Sequence, residues 1–528
     1  MKKSLLKILA VTIAFLSVLV STAQYTTKHY IAPSPWGYFD QYNEIVVTTL
    51  STTPVTVTIA SSDGTTIYSN SLTTVSGTPL RYRFAARDAV ANLPLTILSG
   101  QGLIVSAASP IGVQVRNIAS DDYTIAGSSP GDLNVCIQKG NTSFTSLGDQ
   151  GLGTAFRVGY YANVTGMSCY SDGGAVTYSV MAINNGTNVY VNNSLLTTLN
   201  AGQAYLFFAP LGSLVTANNS IVVNTGMRSD NSGGGSCYDG VESQVIPVAN
   251  LGTNYVVVRS QGNVGSGYER STIIASVANT TVTVTVPKTG KTTTYTLPNA
   301  GSYVTINNGD SITPYSSSYI TASSPVIVFT GTAATCEADM IVQSPLNNCA
   351  GSFNVQTVSF LDNANGNNAI LPYFGYVIIQ SDTAIVYFNG QNLESVVGKR
   401  TAIGTSGYYI IQYTNAQLGN PATLQFYVNA RINVALVESG AGFSMAAYIS
   451  SISSVMPPPS VTSNCLPSTL TAQSGFSSYQ WYNGTSIVPG ATSQKYSPSA
   501  NGAYSVSGIT PNCGTTPIST AVLVNPKP

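Results

Sequence analysis

Valine and threonine alternate along "STTPVTVTI" at 51–59 and "ASVANTTVTV" at 275–284, and "AINNGTNVYV" at 182–191 follows the same rhythm. Period-two alternation sends every second side chain to one face of a strand. Val282 and Val284, and their counterparts Val189 and Val191, are therefore expected to enter a core. A second pattern is an apolar run entered through a polar step, as in "VSAASPIGVQVR" at 105–116, "VTANNSIVVNTG" at 215–226 and "ITASSPVIVFTG" at 320–331. Pro110 and Pro325 mark this step in two of the copies. Proline lacks an N–H, which is harmless at the first position of a strand or on a sheet edge, so each is expected to begin a strand.

The patterns recur in one order. "LGT" at 152–154 and 251–253, each with an aromatic two residues later (Phe156, Tyr255), precedes the alternating strand. "NAGQAY" at 200–205 and "NAGSY" at 299–303 follow it, and the polar step closes each copy. A first copy ends at the Pro110 step, and a fourth runs through "SDTAIVYFNG" at 381–390 and "VNARINVALVESG" at 428–440 without the proline. Closing strands recur at roughly 105–110 residues, well beyond the ~20–50 residues of a propeller blade or solenoid turn. Six or seven short strands can bury their own core between two sheets within such a length. The expected fold is all-β, with β-sandwich-like modules at 24–130, 131–245, 246–350 and 351–455. The alternative is four repeats closed into a propeller-like ring.

Charge changes the picture mainly by exclusion. Only 8% of residues are charged and the formal net charge is zero, so nothing draws in nucleic acid or an anionic membrane. The hydrophobic share of 43%, rich in residues suited to pleated surfaces, excludes a disordered chain. Lys2, Lys3 and Lys7 precede the apolar stretch Ile8 to Val20, and Ser21-Thr22-Ala23 supplies a cleavage context, so residues 1–23 read as an export signal. The mature chain is expected outside the cell, with no membrane insertion, because no later stretch reaches the ~18 apolar residues of a span.

The cysteines suit an oxidising compartment, and no CxxC pair exists to bind metal. Cys465 with Cys513 and Cys336 with Cys349 are the expected bridges; Cys169 with Cys237 is a third, though Cys136 with Cys169 fits equally. After residue 455 the composition shifts. A proline-rich linker at 456–460 cannot join a sheet ladder, and a separate domain is expected at 461–528.

The order "LGTNYVVV", "IIASVANTTVTVTV", "YTLPNAGSYVTI", "ITASSPVIVFTG" resembles the amino-terminal domain of the IgGFc-binding protein family, over roughly residues 30–450. The resemblance implies an extracellular binding or adhesion module, of a type widespread in exported proteins of Bacteroidota, and brings no catalytic residues. "YQWYNGTSIVPGA" and "NGAYSVSG" in the last domain resemble immunoglobulin-like repeats, with Trp481 as the core tryptophan and Tyr504 at the tyrosine position of strand F. Surface proteins of this kind usually continue into a sorting domain read by the type IX secretion machinery, so the chain is expected to be part of a longer adhesin, the alternative being that it is released or held by a partner.

Catalysis finds little support. His29 is the only histidine, so a Ser-His-Asp or Cys-His site would depend on it; it reads as a solvated strand residue. The acidic candidates Asp121, Asp122, Asp172, Asp230, Asp239, Glu337 and Asp339 show no converging pair of the kind a glycosidase needs. "LDNANGNNA" at 361–369 departs from a calcium loop, with Ala364 at the third position, and reads as an Asn/Gly turn. No enzyme activity, cofactor or metal is expected. Binding is expected on loops, and "MRSDNSGGGSCYDGVES" at 227–243 and "SQGNVGSGYERS" at 260–271 offer Tyr238, Tyr268 and Arg270 as contacts to an extracellular glycan or protein.

Overall fold

The four closing runs, at 105–116, 215–226, 320–331 and 428–440, each fall in the central strand, or spine, of one sheet. The computed structural model describes residues 25–35, 43–84, 92–117, 141–163, 176–230, 239–347, 350–362, 369–440, 443–450, 452, 459–472, 476–510, 514–515, 518–519 and 521–527. These fall into two compact units, one within Thr22–Val455 and one within Met456–Pro528. The larger holds four β-sandwich-like modules, built on Leu103–Asn117, Leu214–Asp230, Ser317–Thr335 and Thr423–Gly440.

Each spine serves two layers. In the third module, residues 317–322 run between Gly252–Val258 and Thr280–Val286, whereas 326–334 run between Arg270–Ala275 and Glu337–Val342. The other spines divide the same way, with register gaps at 108–110, 218–220 and 428–431. Pro110 and Pro325 thus lie in the middle of a continuous strand and not at its start. They are tolerated because the spine is stepping between layers there, and no neighbour needs the missing N–H. Their carbonyls are still used: Thr49 Oγ1 donates to Pro110 O at 2.9 Å and Ser276 N to Pro325 O at 3.1 Å. Ser220 occupies the same step in the second module, so the fold needs the step and merely accommodates the proline.

The alternating positions behave as expected. Val282 and Val284 are buried with Ile320 and Val328, and Val189 is buried in its own core with Val191 packed against it. Each fully buried valine is worth about 1.5–3 kcal/mol. The glycine of "LGT" has a steric reason: a Cβ on Gly252 would lie 2.5 Å from Pro345, and one on Gly153 would lie 2.7 Å from Pro247. In these two modules the proline after the return strand therefore packs directly on the strand that opened the module.

Two strands fall outside the intervals read from the sequence. Thr142–Thr145 pairs with the spine of the first module, and Ile97–Ser99 adds an edge to the sheet of the second, beside Gln203–Phe207. With Thr142–Thr145 assigned to the first module, all four are alike: the spine is followed by one antiparallel return strand, namely Thr142–Thr145, Asp239–Gln244, Glu337–Val342 and Phe443–Ile449. These return strands pack each on the next, and the fourth packs on the first. The modules remain sandwiches, joined through a closed circuit of return strands.

The joints differ in chemistry. Tyr160 and Tyr161 pack with Tyr268 and Phe329 between the second and third modules, and Val256 and Ile341 pack with Phe374 and Ile378 between the third and fourth. Ala32 meets Met181, Ala204 and Val222 between the first and second. The first and fourth meet through charge instead. Glu44, fully buried, is bound by Arg83 (2.7 Å), Arg116 (2.8 Å) and Arg81 (3.1 Å), and Arg116 also reaches Glu438 at 3.3 Å. Arg116 and Arg81 further donate to the carbonyls of Val358 and Ser359.

In the smaller unit, Ser478–Asn483 pairs with Gly502–Thr510, and a separate sheet is formed by Ser460–Val461, Leu470–Thr471 and Lys495–Tyr496. Trp481 is fully buried and donates Nε1–H to Ser493 O at 2.8 Å, while the Tyr504 hydroxyl donates to Ala500 O at 2.8 Å. Cys465 is a free thiol, which corrects the expected bridge to Cys513. Cys465 bridges Asn525, beside Val524 and its partner Gly502, whereas Gly514 pairs with Thr510 at the other end of the same nine-residue strand. About 26 Å of strand separates the two ends, and a disulfide needs Cα atoms within about 7 Å. Cys336 is disulfide-bonded, with its partner outside the described residues. Cys136, Cys169, Cys237, Cys349 and Cys513 themselves lie outside them.

The layer step yields a direct test. Pro325→Ser installs the residue that the second module carries at this point, so it should cost only about 0.4–1 kcal/mol, through greater freedom of the unfolded chain. Urea unfolding of the full chain measures this; a loss of several kcal/mol would show that the proline itself holds the step.

Candidate functional site

The return strands meet at Asp339, which is fully buried. Its Oδ1 accepts from the Thr142 hydroxyl (2.7 Å) and Met340 N (2.8 Å), and its Oδ2 from Ala446 N (2.7 Å) and Ser143 N (3.0 Å). One carboxylate thereby ties the first, third and fourth modules. The second enters through Glu242, whose backbone N–H donates to Thr142 Oγ1 at 3.0 Å and whose carboxylate accepts from Asn117 and Asn224, each at 3.0 Å. Burial pushes the Asp339 carboxyl up to about 8, against the donors that favour its charge.

Beside this hub lies a cavity of about 20 Å³ lined from all four modules, by Phe144, Thr145, Gln244, Met340 and Tyr448 among others. Thr145 Oγ1 and the Tyr448 hydroxyl have no hydrogen-bond partner among the described residues. The space suits a water or two and no larger ligand. The centre is thus a packing hub, not a substrate site.

The residues singled out from the sequence scatter. Tyr268 is fully buried in the core shared by the second and third modules, with its carbonyl pressed on Gly331, so it cannot present its ring as a loop contact. Arg270 is half-buried at the start of Arg270–Ala275, folded back over Gly267. Tyr238 lies outside the described residues, as do Asp121, Asp122 and Asp172. The backbones of Asp230 and Asp239 pair in register, and the Asp230 carboxylate is occupied by the hydroxyls of Tyr160 and Tyr161. Leu361–Asp362 pairs with Ala369–Ile370, so "LDNANGNNA" connects two antiparallel strands. Among the described residues, no three His, Cys, Asp or Glu side chains are grouped to hold a metal ion.

His29 is buried and not solvated. Its Nε2 lies 2.7 Å from Ile111 O and its Nδ1 3.0 Å from Ser146 Oγ, which assigns the proton to Nε2. Desolvation lowers its pKa to about 4, so the ring stays neutral and structural. Sequence reasoning also missed Glu269 within "SQGNVGSGYERS": fully enclosed, it accepts from Ser260 N and Gly262 N, both at 2.9 Å, and so anchors the 260–267 loop. Its Glu-Arg neighbourhood gave no periodic signal.

Among the described residues, two exposed tyrosines lie side by side on the fourth module. Tyr427 and Tyr387 are opposite each other on adjacent strands, 50% and 37% exposed, with ring centroids 6.3 Å apart. Asn354 pairs with Tyr427 on one side and Asn392 with Tyr387 on the other, which makes a row across four strands. Phe426 and Phe388, one residue away, point into the core.

Two outcomes test the hub. Asp339→Asn places an amide N–H₂ among groups that all donate, and should cost about 3 kcal/mol or more in urea unfolding; a loss below about 1 kcal/mol would mean that the return strands pack without it. Burial also raises Glu438 and Glu269 from 4.5 to about 7, and Asp339 from 3.8 to about 8. A raised folded pKa stabilises fully below the unfolded value and is lost as pH rises through the folded one. His29 opposes this only below its unfolded value of 6.5. The melting temperature of the larger unit should therefore rise as pH falls from 8 to 6.5, and a flat or falling profile would refute the assignment.

Comparison with known proteins adds the context. No curated protein matches the chain. A solved structure of Sidekick-1 immunoglobulin domains 1–4 is similar at 10% identity over 95% of this chain and 99% of that chain, with a TM-score of 0.10, too loose to bear on the fold. The family described as IgGFc binding protein matches residues 142–448, from the first return strand to the fourth. That is more than half of the 528 residues, and the chain belongs to the IgGFc-binding protein family.

Proposed function

We propose that this protein is an exported cell-surface binding protein that presents its sandwich circuit for attachment to an extracellular glycan, matrix or cell-surface partner. The family match across the circuit carries the reading. The export signal read at residues 1–23 agrees with it, as does a surface built from hydroxyl and amide groups in a chain with only 8% charged residues. Export would involve secretion machinery, with type IX secretion the system such surface proteins use. The smaller unit is read as an immunoglobulin-like domain, on its buried Trp481 and the bond from Tyr504 to the Ala500 carbonyl. The role is binding without catalysis. A carbohydrate-binding role within a polysaccharide-degrading system is the second reading, and the exposed Tyr387 and Tyr427 favour it.

Deleting the gene in the host and labelling the protein on intact wild-type cells tests the proposal. Surface labelling, together with lost attachment to glass or matrix in the deletion strain, is the expected result. Labelling confined to the medium, with attachment intact, would overturn it.

A further inference from the structure

We infer that the outward face of the fourth module is a binding platform for an uncharged polysaccharide, on which Tyr387 and Tyr427 stack against successive sugar rings while Asn354 and Asn392 close the row. The inference rests on the binding-protein reading and gives it a site and a ligand class.

The geometry comes from strand pairing. The order Asn392, Tyr387, Tyr427, Asn354 follows three adjacent pairings, at about 4.8 Å per strand, and so spans about 14 Å. Val355, Phe388 and Phe426 fill the opposite face, so neither tyrosine ring is needed in that core. The rings lie 6.3 Å apart and tilted by 35°, offering two faces side by side along the row. On the neighbouring row, Gln356 Oε1 accepts from Gly77 N at 3.0 Å, which sets the turn of the first module beside the platform as a wall.

Comparison among the modules shows that the aromatic pair is an addition. The same row in the third module reads Thr294, Thr283, Thr321, Asn254, and in the second Leu195, Tyr190, Thr216, Ala155. In the first, Thr58, Ser106 and Lys28 are aligned. A cross-strand aromatic pair can stabilise a sheet, but the third module makes the same pairing with threonines. Two adjacent exposed rings are found on this row in the fourth module alone.

The chemistry selects the ligand. The C–H faces of a pyranose are apolar and pack on aromatic rings, and its hydroxyls need neutral partners; Asn354 and Asn392 can donate from their amide N–H₂ groups, while Asn392 Oδ1 is taken by Glu394 N at 3.0 Å. No position in the row is charged, so an anionic chain finds no counter-charge and an uncharged one loses no ion hydration.

The test uses the full chain and the variant Tyr387→Thr/Tyr427→Thr, which copies the third module and so keeps residues suited to strands. Retention is measured on insoluble cellulose, β-glucan, xylan, mannan and chitin, with thermal unfolding alongside. The wild type should be retained by at least one of these, and the variant should bind it at least about tenfold more weakly at an unchanged melting temperature. Tyr427→Phe, which keeps the ring face, should bind like the wild type. Equal retention of wild type and double variant would overturn the platform, as would absence of binding to all five. If that absence coincides with attachment that still depends on the gene, the platform fails and the adhesion reading stands.

Discussion

The larger unit depends on the mutual packing of its return strands, and the Asp339 carboxylate shows why they cannot part. Two of its acceptor positions are taken by backbone N–H groups of Ser143 and Ala446, which belong to the first and last modules. Separating the strands would leave a buried carboxyl and two buried amides unpaired, and each unsatisfied group costs about 1–3 kcal/mol or more. A β-sandwich of about 100 residues could stand alone, but its return strand here has a polar partner in a neighbour and is committed to the circuit.

The joints follow from this commitment. Modules adjacent in sequence are joined by apolar cores, which are strong but indifferent to exact register. The joint between the first and fourth has no short connection to guide it, and it is built from Glu44, Glu438 and three arginines. A buried ion pair gains little net energy over a hydrophobic contact, yet a misdocked one leaves uncompensated charge, which is heavily penalised. Charge at the closing joint thus discriminates against wrong closure.

The outward faces are released for other work. With cores and joints satisfied internally, strand positions facing solvent vary without cost to the fold, as threonine at Thr283 and tyrosine at Tyr387 show for equivalent places. A binding surface can therefore be written on one module while the third keeps a plain threonine row.

The all-β class, the repeat and the inward valines were legible in the sequence, because period-two alternation is a local property that survives whatever the strand pairs with. The spine motif was legible as a strand too, but its division between two layers was not, since a gap in the ladder is defined by neighbours far away in sequence. The same limit governs the sites. Tyr268 sits in a Gly-rich stretch and reads as a loop contact until the second module covers it. His29 reads as solvated until Ile111 and Ser146 close over it. In "IVYFNG" and "LQFYVN" the sequence offers two adjacent aromatics each, and alternation requires only that one of each pair faces out. Strand pairing alone decides that Tyr387 and Tyr427 are outward and opposite each other. Local chemistry in the sequence determined which elements form; which side chains meet was decided by tertiary structure, because burial and pairing are properties of the partner as much as of the residue.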